Sequence, residues 1–123
     1  MHKSTSYCDL EVWQEAIKLA KNIYKITEPF PARETYGLSL QLRRSAVSIA
    51  SNLAEGQARN SPREFLYFIN ISLGSLAELE TQLIIAKEIN LIDEDILEAI
   101  LELTRKITKM AHGLKKHLSG KKK

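Results

Sequence analysis

Two long helical runs meet across a break of only two residues, Asn60 and Ser61, and so short a connection leaves them one arrangement, an antiparallel hairpin. The restart is well marked. Ser61 is a good N-cap, Pro62 suits the first helical position, where its missing N–H costs nothing, and Glu64 sits at the third. From Pro62 to about Ile89, Phe65, Ile69, Ser72, Leu76, Leu79, Leu83 and Ala86 recur at near-heptad spacing, flanked by a second apolar set of Phe68, Ile71 and Ile85. This run is too apolar for a surface helix. Gly74 in its middle costs about 1 kcal/mol relative to Ala. The expected return is that Gly74 and Ser75 admit a close neighbour, namely the helix before the break.

That preceding helix starts between Arg33 and Tyr36 and runs to about Ala58. Leu38, Leu40, Leu42, Ala46, Val47, Ile49, Ala50, Leu53 and Ala54 fill much of its circumference, so neighbours should cover it on more than one side. Its polar residues form a stripe of their own. At about 100° per residue, Gln41, Arg44, Ser48, Asn52, Glu55 and Arg59 fall within an arc of roughly 80°. Gly56 is either a C-cap or a point of close backbone approach, and close approach is favoured. This helix is the expected centre of the fold.

Two outer helices complete the pattern. The first should be capped by Asp9 and run to about Thr27, with Leu10, Trp13, Ile17, Ala20 and Tyr24 as its core face and Lys18, Lys21, Asn22 and Lys25 solvated. Pro29 and Pro31 stop it and bracket Phe30, which should plug the end of the core. The last follows Asn90, with Ile92 before Asp93 placed to staple onto Leu97. Its expected core face is Ile96, Ile100, Leu103, Ile107, Met110, Leu114 and Leu118, with Glu98, Glu102, Lys106 and Lys109 mostly outward. Four helices of about 18 to 28 residues joined by short loops predict an all-α, up-down-up-down antiparallel bundle. The expected division is an N-terminal extension over 1–8, the bundle over 9–118 and a basic tail over 119–123.

A length of 123 residues suits one such domain. There is no leader pattern and no apolar run near the ~20 residues a membrane span requires, so a cytoplasmic protein is expected. Cys8 is the single cysteine, which excludes an internal disulfide and a Cys-x-x-Cys metal knuckle. The formal charge of +3 is mild but unevenly placed. From Arg105 onward come Lys106, Lys109, Lys115, Lys116, Lys121, Lys122 and Lys123 with no acidic residue. Cations in the last turns complement the helix dipole, as Asp93, Glu94 and Asp95 do at its start. The surplus is a weak nucleic-acid signal, and Arg59, Lys109, Lys115, Lys116, Lys121, Lys122 and Lys123 are the candidate binding residues.

No enzyme signature accompanies them. In the hairpin, facing residues have numbers summing to about 121, which sets Arg43 and Arg44 opposite Ala77 and Glu78 and predicts a partly buried Arg44 to Glu78 bridge. Glu55 falls beside Leu66, which at 1.5 Å per residue leaves it about 15 Å or more from Glu78, too far for two-carboxylate chemistry. Asn52, Glu55 and Arg59 suit capping and subunit contact, with Glu55 and Arg59 as an i, i+4 pair. Glu-x-x-His, which a di-iron bundle needs, does not occur, and His2, His112 and His117 lie near the termini. No Gly-rich phosphate loop, nucleophile elbow or metal spacing is present, so no cofactor is expected.

Several segments carry a resemblance: Leu10-Glu11-Val12-Trp13, Phe30-Pro31, Tyr36-Gly37-Leu38, the run Gln41-Leu42-Arg43-Arg44-Ser45, Asn52 with Ala54-Glu55-Gly56 and Arg59, and Gly74-Ser75-Leu76 with Glu78-Leu79. Over residues 8 to about 112 the chain resembles the bacterial four-helix bundle proteins encoded in intervening sequences of 23S ribosomal RNA genes, also described as S23 ribosomal protein-like. The resemblance implies an antiparallel bundle assembled as a homopentamer, without catalytic residues. More distantly, that family is similar to accessory proteins of diversity-generating retroelements, which associate with a reverse transcriptase and its RNA. The leading expectation is a non-enzymatic oligomeric bundle that binds RNA or a ribonucleoprotein partner. The alternative is a protein-binding scaffold or structural oligomer with no nucleic-acid role. Because every aromatic reads as core, no stacking surface for bases is expected.

Overall fold

Helices start here where a side chain satisfies the first free N–H groups or the chain leaves an extended residue, and the inner ones stop where the backbone turns left-handed. The computed structural model describes residues 6–120. Four helices are found among them: α1 (Glu11–Thr27), α2 (Leu38–Ala58), α3 (Pro62–Glu88) and α4 (Glu94–Ser119), with short 3-10 turns at Tyr7–Asp9 and Ala32–Glu34. At the start of α3 the Ser61 hydroxyl accepts from Glu64 N at 3.3 Å, and at the start of α4 Asp93 Oδ1 accepts from Ile96 N at 2.8 Å. Asn60 and Asn90 close α2 and α3 with φ of 59° and 65°, the left-handed conformation that asparagine tolerates better than most residues. After α3 the chain reverses through paired bonds, Leu91 N to Ala86 O at 2.8 Å and Asn90 N to Lys87 O at 3.0 Å.

Two starts differ from expectation. Asp9 does not cap α1; it closes the 3-10 turn that Ser6 caps, and Leu10 occupies the cap of α1. Helix α2 begins at Leu38, later than the predicted window, because Ala32–Glu34 forms its own turn. Glu34 Oε1 then accepts from Leu38 N at 3.2 Å and supplies the missing cap.

Helix α2 packs against α1 and α3, and α4 closes the square by packing against α3 and α1. The result is the all-α four-helix bundle that the spacing predicts. The core face of α3 is as read from the sequence: Phe65, Ile69, Ser72, Leu76, Leu79, Leu83 and Ala86 are all buried. Ile92 and Leu97, on either side of the α4 cap, are buried too, and Phe30 packs against the core at the end of α1.

Helix α1 is rotated by about one residue from its predicted face, and α4 by less, keeping Ile100, Ile107 and Leu118 buried as predicted. Helix α1 buries Val12, Ala16, Leu19 and Ile23, whereas Ile17 and Tyr24 are exposed and Trp13 and Ala20 lie at the boundary. Helix α4 buries Leu97, Ile100, Leu101, Thr104, Ile107, Ala111 and Leu118, leaving Ile96 exposed and Leu103, Met110 and Leu114 half-buried. The physical reason is the width of the apolar arc. In both helices it spans about 180° of the circumference, well beyond the stripe of ~100° that one core contact uses, so either edge could face inward. Aliphatic side chains take the centre, while Trp13 and Tyr24 keep their polar tips within reach of water.

The two glycines also part company. A Cβ on Gly56 would lie 2.7 Å from Phe65 Cδ1 and 2.9 Å from Phe68 Cβ, so this position needs glycine for the close approach of α3. A Cβ on Gly74 would meet nothing within 4 Å, so the expected close contact there does not exist within the chain. Its neighbour Ser75 makes the contact instead, buried against α2.

Candidate functional site

The polar stripe of α2 becomes one wall of a groove shared with α3. Gln41, Arg44, Ser45, Ser48, Glu78 and Gln82 line an open groove of about 420 Å³. Its floor is tied by hydroxyls. Ser45 Oγ donates to Gln82 Oε1 at 3.1 Å, and the Ser48 and Ser75 hydroxyls share a bond of 2.9 Å. Asn52 Nδ2 donates to the Ser48 carbonyl at 2.8 Å and to its hydroxyl at 3.0 Å. Deeper still, Ser72 Oγ donates to the Ile49 carbonyl at 2.9 Å, and those two numbers sum to the 121 expected from the hairpin register. These bonds satisfy polar groups that helix packing would otherwise bury unpaired, so this part of the stripe is a register device.

The rim behaves differently. Arg44 and Glu78 line the same groove, but both side chains are exposed and no ion pair within 4 Å joins them. The predicted partly buried bridge is therefore corrected: both side chains lie on the exposed rim of the groove, where solvation sustains each charge within the single chain without a partner. Arg43, next along α2, turns the other way. Its guanidinium lies 4.6 Å from the Tyr24 ring centroid, and its Nε donates to Thr27 Oγ1 at 2.8 Å.

At the far end of α2, Glu55 and Arg59 form the expected i, i+4 pair at 2.8 Å. Arg59 also reaches Glu64 at 3.4 Å and covers the Phe68 ring at 5.0 Å. As a candidate binding residue it is thus already neutralised. Lys109, Lys115 and Lys116 lie on the last turns of α4, whose Leu118 packs beside Asn60, Ser61 and Pro62 at the α2–α3 turn. They make no ion pair among the described residues. Lys121, Lys122 and Lys123, like His2, lie outside the described residues.

On the other side of α2 a second groove runs along α1. Tyr7, Trp13, Ile17, Ala20, Val47 and Ala54 line one stretch of it, and Tyr24, Leu40, Arg43, Arg44, Val47 and Ser48 the next. Sequence reasoning assigned these aromatics to the core. In fact Tyr24 is 46% exposed, Tyr67 62% and Tyr36 90%, so the argument that no aromatic is free at the surface falls. The signal that could have located this seam is the excess width of the apolar arc of α1.

Between α1 and α4, Glu15 takes Lys18 at 3.2 Å and Lys106 at 3.4 Å. The hydrogen bond from Lys18 holds its carboxyl below the usual range, partial burial pushes the other way, and Lys106 adds to the lowering. None of these groups forms a nucleophile and base couple, and among the described residues no cluster of His, Cys, Asp and Glu is placed to hold a metal ion. No helix of the described residues is long and apolar enough to cross a membrane.

Comparison with known proteins agrees with this architecture. The chain is similar in structure to a protein of unknown function from the S23 ribosomal protein family of Bacteroides thetaiotaomicron VPI-5482. The two superpose with a TM-score of 0.76 at 25% identity, covering 85% of this chain and 98% of that one. No curated protein matches. The family model described as 23S rRNA-intervening sequence protein matches residues 8–113, and the chain belongs to that family.

Proposed function

We propose that the protein is a non-catalytic, cytoplasmic homo-oligomer, five-membered by family resemblance, that binds RNA or a ribonucleoprotein partner through its basic end. The observation that carries this reading is the second half of α4. Lys109, Lys115 and Lys116 lie there with no carboxylate partner among the described residues, and the sequence beyond Arg105 supplies no acidic residue to oppose them. Repeating that end in an assembly multiplies a modest field into one able to hold a polyanion. Titration with single-stranded RNA at two salt concentrations tests it. Affinity should fall with salt at a slope near 0.7 per phosphate contacted. Truncation after Leu118 should weaken binding and flatten that slope while helicity is unchanged. Equal affinities would exclude the tail, and no binding by the full chain, or binding unchanged when Lys109, Lys115 and Lys116 are replaced by glutamine, would refute the reading.

One observation favours a second reading, a protein-binding scaffold: the seam of Trp13, Ile17, Tyr24, Leu40 and Val47 is apolar and partly open, as protein-contact surfaces are. Copurification with a second protein and no nucleic acid at low salt would put that reading first.

A further inference from the structure

We infer that the groove between α1 and α2 receives the outer face of α3 from a second copy of this chain, with Arg44 of one copy paired to Glu78 of the other. The inference rests on the self-association proposed above and names the surfaces involved. Three features that ought to be satisfied are left open in the single chain, and this one contact satisfies them all.

The first is apolar surface. Val47 and Tyr24 are 43% and 46% exposed across one groove, and the groove continues past Ile17 to Trp13. The second is charge. Arg44 has no carboxylate and Glu78 no cation within 4 Å among the described residues, although they line one groove of their own chain. The third is a smooth ridge. Gly74, Glu78, Thr81 and Ile85 follow one another at spacings of four and three along α3, with Ala77 beside them, and a Cβ on Gly74 would meet open space. A low ridge with an apolar end at Ile85 and an anion at its centre is complementary to an apolar groove with guanidinium groups on its rim. Since the two surfaces are different patches of one chain, each contact leaves a free groove and a free ridge, and the association repeats until it closes on itself.

Sedimentation of Arg44→Glu and Glu78→Arg variants tests the pairing, with circular dichroism as the check that each remains helical. Both positions are exposed, so the folded chain should tolerate either change. Each variant alone should associate at least about tenfold more weakly than the wild type, because like charges now face each other at every contact. A chain carrying both changes should regain assembly, since the exchanged charges then match again at every contact, whatever the number of subunits. A double variant no better than the single ones would overturn the inference, as would single variants that assemble like the wild type, and in either case self-association itself would stand. A wild-type chain that stays monomeric up to about 100 μM, a concentration at which even micromolar contacts would be filled, would overturn both.

Discussion

The two flanks of α2 are built on different principles. Toward α3 the contact is made by small residues and hydroxyls: Gly56 admits two phenylalanines, and Ser45, Ser48 and Ser72 each bond across the helix pair. Toward α1, Tyr7, Trp13 and Ile17 stand against Val47 and the small residues Ala50, Ser51 and Ala54 of α2, and the size mismatch leaves a groove open between the helices. The comparison teaches that side-chain volume does not decide which face of a helix becomes core. Close approach needs small residues, and a wide apolar arc on the neighbour is then only half used.

The largest effect that could break this comparison lies inside α1. Leu19 has no exposed surface, so Leu19→Ala should cost about 2 to 5 kcal/mol. Ile17→Ala on the seam should cost under about 1 kcal/mol, as surface changes do. Equal losses in denaturant midpoints would show that the seam belongs to the core. Next comes Gly56→Ala, whose new methyl must displace Phe65 and Phe68 and should cost about 1 to 3 kcal/mol by overpacking. Gly74→Ala should do the reverse and stabilise the chain by about 1 kcal/mol at dilutions where copies are apart, because nothing within the chain stands where its methyl would go. Thermal unfolding of the two variants side by side would sharpen the contrast, and a destabilising Gly74→Ala would abolish it.

The smallest expected effect is electrostatic. Glu15 has a lowered carboxyl pKa in the folded chain, with Lys18 as the largest cause, so its pairing stabilises the fold above the ordinary carboxylate range and is lost as pH falls through the lowered value. Wild type and Glu15→Gln should therefore differ slightly at neutral pH and converge under acid. A gap that widens on acidification would contradict the assignment.

Much of the bundle is readable from residue spacing. The core face of α3, the caps at Ser61 and Asp93, the role of Gly56 and the turn at Asn60 follow from local rules, because each depends on neighbours within a few positions. The α1 and α4 faces do not, since periodicity finds the apolar arc but not which edge of it a partner will choose. The Arg44 to Glu78 bridge failed for a related reason. Register arithmetic gives height along the hairpin, and it is silent on how far two side chains stand apart at the rim. Gly74 was read as a contact because its propensity cost invited one, whereas only the neighbours' positions could reveal the empty space beside it.

The two-residue break at Asn60 and Ser61 also has a kinetic consequence. Joining α2 to α3 through so short a connection keeps loop-closure entropy small, so contacts across this pair are the least costly the unfolded chain can make. The hairpin should accordingly be formed at the folding barrier, with α1 docking afterwards. In stopped-flow experiments Ser72→Ala, which removes a bond between the hairpin helices, should mainly slow folding, while Leu19→Ala should mainly speed unfolding. The opposite pattern would place the nucleus elsewhere.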